Sequence, residues 1–151
     1  MSQSADSAPK WTPYFPRSGP LPDATPLELV AQARKQLDAG DDRQWAGALW
    51  AAVRLTFLDL ASRHNLASED FIANAKAGNV EDTEYIPIAK ALDEMEIPGD
   101  KNRHYRHYRG KLGGGNALGD HQRIGIYKDY WWEDIHSDTL AFIAECYDTA
   151  P

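Results

Sequence analysis

The stretch from Trp45 to Leu60 limits what this chain can fold into more than any other. Its apolar residues Trp45, Leu49, Ala52, Val53, Phe57 and Leu60 recur at intervals of three and four, the period of one helix face. Trp50, Leu55 and Leu58 widen that stripe beyond a single face. A helix that is apolar over so much of its circumference has to be covered by more than one neighbour. The stretch is also interrupted by Gly47, Arg54 and Asp59, and it falls short of the ~20 apolar residues that cross a bilayer. We therefore expect a core helix and no membrane span. No segment alternates with period two for long enough to read as a strand. The expected fold class is all-α, a four- to five-helix up-and-down bundle.

Local signals place the neighbours. Thr25-Pro26-Leu27-Glu28 combines an N-cap threonine, a proline at the first helical position and a glutamate three residues after the cap. A helix is predicted from Pro26, with Leu27, Val30, Ala33 and Leu37 at helical spacing and Gly40 ending it. Asp41 or Asp42 then caps the central helix, which runs to about Asn65. Ser68, followed by Glu69 and Asp70, opens a short helix to about Ala77 that Gly78-Asn79 ends, with acids where the helix dipole favours them. A fourth helix is expected over Ile86–Glu94, with Ile88, Leu92 and Met95 on its buried side. The last is expected over about Tyr130–Tyr147, with Trp131, Ile135, Leu140, Phe142, Ile143 and Cys146 on its apolar face.

Six of the nine prolines lie in residues 1–26, and proline fixes φ and removes a backbone donor. Residues 1–25 are read as a proline-rich arm whose Trp11, Tyr14 and Phe15 dock on the body or on a partner chain, and 26–151 as a single helical domain. A chain of 151 residues buries roughly two thirds of its unfolded surface. A single cysteine, Cys146, excludes an internal disulfide framework, and no secretory signal is apparent, so a cytoplasmic protein is expected.

Charge singles out one segment. The chain carries 16 Lys and Arg against 23 Asp and Glu, yet Lys101-Asn102-Arg103-His104-Tyr105-Arg106-His107-Tyr108-Arg109-Gly110-Lys111 holds five formal positive charges and no acid. The other 140 residues sum to −12. Guanidinium forks suit phosphate oxygens, and tyrosines stack on bases. Lys101, Arg103, His104, Tyr105, Arg106, His107, Tyr108, Arg109 and Lys111 are therefore the candidate binding residues for RNA or a nucleotide-like anion. The competing reading folds the segment back onto the chain's own carboxylates, those of Glu94, Glu96 or the last helix.

Six of the eleven glycines follow between Gly110 and Gly125, and are read as a glycine-rich loop before the last helix. The spacing fits neither a Walker loop nor a dinucleotide fingerprint. His104 and His107, even with His121 or Asp120, make an incomplete metal-ligand set. No cofactor and no catalytic constellation is expected from spacing. His64 reads as a partner for a helix C-terminus, His136 as a surface or core-edge residue, and Cys146 as a small core residue.

The hairpin from Leu29-Val30-Ala31-Gln32-Ala33 to Leu37-Asp38-Ala39-Gly40-Asp41, continuing through Trp45 and Trp50 to Leu60-Ala61, resembles the opening hairpin of HEPN-like helical proteins. The resemblance covers about 40 residues, Leu27 to Leu66. It implies a four- or five-helix up-and-down bundle paired as a homodimer. Ribonucleases of that family carry an arginine followed by a histidine after four to six intervening residues. Here Arg103 to His107 leaves three between and Arg109 to His121 leaves eleven, so the motif is absent. Three functions stay open: a non-enzymatic module binding RNA or a nucleotide-like ligand, an acidic interaction factor (an inhibitor or adaptor) docking on a basic protein surface, and a divergent HEPN-like ribonuclease using His104 or His107. A homodimer is expected through the arm, the central helix and the last helix.

Overall fold

The computed structural model describes residues 19–96, 107–124 and 129–148. They form six α-helices: α1 (Pro26–Asp38), α2 (Asp42–Arg63), α3 (Glu69–Lys76), α4 (Ile86–Glu96), α5 (Tyr108–Ile124) and α6 (Asp129–Cys146). A 3-10 turn, Asp82–Tyr85, leads into α4, and no strand occurs among the described residues. The all-helical class is as expected. The count of six exceeds the four or five expected, because the segment read as a glycine-rich loop is the helix α5. The aromatic arm expected over residues 1–25 lies largely outside the described residues.

Short-range chemistry sets most helix ends. At α1, Thr25 Oγ1 accepts from the Glu28 N–H at 3.1 Å, and the Glu28 carboxylate accepts from the Thr25 N–H at 2.8 Å, a reciprocal capping box. At α2 and α3 the cap is one-way: the Asp41 and Ser68 side chains accept from the Gln44 and Phe71 amides. Gly40, at φ +83°, ends α1 in a Schellman turn, with the Asp41 N–H reaching the Gln36 carbonyl at 2.9 Å. Gly78 does the same for α3, and it is further constrained because a Cβ there would lie 2.6 Å from the Pro20 nitrogen. The chain at Leu21 is pinned to that turn by its N–H donating to the Lys76 carbonyl.

α2 lies at the centre, packed against α1, α5 and α6 and touching α3 and α4. Trp45, Leu49, Trp50, Val53, Phe57 and Leu60 are all buried, as the stripe requires. Phe57 meets Phe142 of α6 at 5.5 Å between ring centroids and Tyr108 of α5 at 6.5 Å, so one aromatic cluster joins three helices. The apolar residues of α2, and Phe142 and Ile143 of α6, on which a self-contact was expected, are thus used within the chain's own core.

Two residues at helical spacing do not follow expectation. Leu27 is exposed, because α1 turns Pro26, Leu29 and Ala33 inward instead. Met95 is 48% exposed. The inward stripe of α4 runs through Ile88, Ala89, Leu92 and Asp93, whose centre lies about a quarter-turn from Met95 at ~100° per residue.

α5 packs on α2 through glycine. A Cβ at Gly115 would lie 2.8 Å from Trp50 Cε3, and one at Gly119 only 2.4 Å from Trp50 Cδ1, so the Trp50 ring occupies the volume two side chains would need. Spaced by four, these glycines share one face of the helix. That close approach offsets the roughly 1 kcal/mol by which each glycine disfavours a helix.

Candidate functional site

Asp93 organises the described part of the basic segment. It sits on the inward face of α4 with no solvent exposure. A buried carboxylate has to be hydrogen-bonded, because desolvating an unpaired charge costs far more than a helix fold can supply. Its Oδ1 accepts from the Tyr108 N–H at 2.7 Å, and its Oδ2 from Arg109 Nε at 3.2 Å. Asp93 therefore acts as an N-terminal anchor for α5 and, at the same time, as the ion-pair partner of Arg109. It binds orphan amides and dipole at a helix start, supplied from 15 residues upstream.

The neighbouring candidates also have partners within the chain. Tyr108 packs edge-on against Phe57 and Phe142, which places its ring on the core. Lys111 lies 3.8 Å from Asp138, and His107 lies 3.9 Å from Glu145, both acids on α6. His107 also stacks edge-on with Tyr108 at 4.5 Å. Of the expected internal partners, the last helix is used, Glu94 is not seen in these pairs, and Asp93 was missed. The available signal was an acid at 93, beside Leu92 and one turn after Ala89, on the apolar face of an amphipathic helix. Lys101, Arg103, His104, Tyr105 and Arg106 lie outside the described residues.

Other polar groups support the frame. Arg54 is only 6% exposed. One guanidinium nitrogen donates to the Gly19 carbonyl at 3.3 Å, the head lies 5.3 Å over the Trp50 ring, and Nε has no hydrogen-bond partner among the described residues. Burial pulls its pKa below the usual arginine value, with Tyr85 and Asp82 opposing the shift. Burial pushes the Tyr85 phenol up to about 12, against the pull of Arg54. His121 of α5 and Asp42 at the start of α2 share a 2.7 Å hydrogen bond in which the carboxylate accepts, and Arg43 donates twice to the Gln122 carbonyl. These contacts tie the end of α5 to the start of α2. Tyr147 donates its hydroxyl to Asp59, joining the end of α6 to α2. Burial and the adjacent Glu145 push the Cys146 thiol up to about 11, which keeps it a poor nucleophile near neutral pH.

His136 sits at the core edge, its ring edge-on to Trp45 at 5.1 Å. Burial first, then Arg34, lowers its pKa. The unfolded chain therefore takes up a proton before the folded one does, and stability is lost as pH falls below about 6.5 towards the folded-state value. Thermal midpoints followed from about pH 7.5 to about pH 5.5 are expected to drop more steeply in the wild type than in His136→Gln. Parallel curves would remove His136 from the account.

Among the described residues no group of three or more His, Cys, Asp and Glu is placed to hold a metal ion. No helix among them is long and apolar enough to cross a membrane. No protein family, curated protein or solved structure matches this chain.

Proposed function

We propose that this protein is a non-enzymatic, acidic interaction factor that docks on a basic protein surface. The observation that carries the reading is the pairing of Arg109 with the buried Asp93 and of Lys111 with Asp138 on the surface of α6. With those cations engaged and Asp138 set aside as the Lys111 partner, the described residues present twelve exposed carboxylates against six exposed Lys and Arg, a local field that draws cationic partners and repels polyanions. The hairpin α1–α2 keeps an architecture shared with HEPN-like bundles as part of the proposal, without their ribonuclease motif.

Fluorescence anisotropy at low salt tests this with two labelled probes, a lysine-rich peptide and a single-stranded RNA. The peptide is expected to bind with an affinity that weakens as salt rises, and the RNA to stay free. RNA binding with a log–log salt slope near −2, as three phosphate contacts at ~0.7 each would give, would overturn the proposal. It would return the function to the basic segment, and the triple change of Arg103, Arg106 and Arg109 to Glu would then abolish that binding.

A further inference from the structure

An open cleft of about 360 Å³ lies where the turn after α2, the helix α3 and the start of α4 meet, lined by Leu66, Ala67, Phe71, Glu84, Pro87 and Ile88. Its volume is at the small end of the ~300–1,000 Å³ range of binding pockets, room for one or two anchoring side chains. Ile86, the first residue of α4 and immediately before Pro87, is 46% exposed, so this helix start also carries an exposed apolar side chain. The elements that build the walls are acidic. Apart from the buried Asp93, residues 66–94 carry six carboxylates against two lysines, and Glu69, Asp70, Glu81 and Glu84 are exposed. Such a surface matches an apolar anchor flanked by positive charge, because the rim charges set orientation and on-rate while the anchor supplies buried area.

We infer that this cleft seats a basic amphipathic segment of a partner protein, with one or two aliphatic or aromatic anchors from one helical turn at the cleft and Lys or Arg over the acidic rim. The inference rests on the proposed function and specifies where the partner engages. Helix-in-groove recognition reads anchors at i, i+3 or i+4, so a single helical turn of the partner presents the required pattern.

The test uses two labelled peptides of equal positive charge, one with leucines at i and i+4 and one with alanines there, titrated against the full-length chain. The leucine peptide is expected to bind at least tenfold tighter. Ala67→Phe, which fills the cleft from an irregular segment, is expected to erase that difference, leaving the alanine peptide's affinity and the helical circular dichroism spectrum unchanged. Equal binding of both peptides to the wild type would overturn the cleft inference while sustaining the acidic-surface reading. Binding of neither would overturn both. A tenfold gain for the leucine peptide on removal of residues 1–18 would assign the cleft to the chain's own arm, and peptide-driven dissociation of a dimer in sedimentation would assign it to a second copy. Either result overturns the inference.

Discussion

Gly119→Ala is expected to destabilise the protein by about 1–3 kcal/mol, the usual effect of forcing extra volume into a packed core. The new methyl would lie 2.4 Å from Trp50 Cδ1 and 2.8 Å from its Nε1, and the indole cannot step aside because it is itself buried in α2. The same substitution at Gly113, where nothing lies within 4 Å of the new atom, is expected to stabilise by roughly 0.5–1 kcal/mol, because alanine loses less backbone entropy in a helix than glycine. Two glycines six residues apart in one helix thus carry opposite signs. Urea unfolding of the two variants measures both, and a gain in stability for Gly119→Ala would mean that α5 can yield at Trp50 at no cost.

Asp93→Ala is expected to cost about 3 kcal/mol, since a hydrogen bond to a charged group contributes roughly 1.5–3 kcal/mol and Asp93 accepts one from the Tyr108 amide and one from the Arg109 guanidinium. Arg109 is partly exposed and can turn to water, so its own charge is not stranded. The reverse truncation, Arg109→Ala, leaves the Asp93 carboxylate fully buried with one partner fewer, and is expected to be destabilising as well. The double variant should lose less than the sum of the two, as residues in direct contact do. Unfolding in urea with all four members of the cycle measures the coupling. An Asp93→Ala loss under about 1 kcal/mol, against the ~1.5–3 kcal/mol expected per bond, would mean that α5 does not depend on its anchor.

These two sites mark where reading residues in order succeeds and where it stops. The starts of α1, α2 and α3 were legible because Thr25, Asp41 and Ser68 bond to amides three residues away, and such contacts need no tertiary fold. The ends at Gly40 and Gly78 were legible for a similar reason, since a residue at positive φ closes each turn locally. The burial of α2 followed from the width of its apolar stripe. α5 was not legible, because its glycines disfavour helix locally and its stabilising partners, Trp50 and Asp93, are distant in the chain. The basic segment was legible as a concentration of charge, but whether its members faced solvent was not, because Asp138 and Glu145 reach it from a different helix.

What the order of residues determines by itself is therefore the all-helical class, the caps and turns of the first three helices, and an acidic chain with one basic stretch. The tertiary structure alone decides that a glycine-rich run becomes a helix and that Arg109 and Lys111 meet carboxylates of other helices, Asp93 and Asp138. The physical reason is range. A cap or a stripe is satisfied within one or two turns, whereas a close helix crossing and a buried ion pair exist only after separate helices have been brought together and water has been removed from between them.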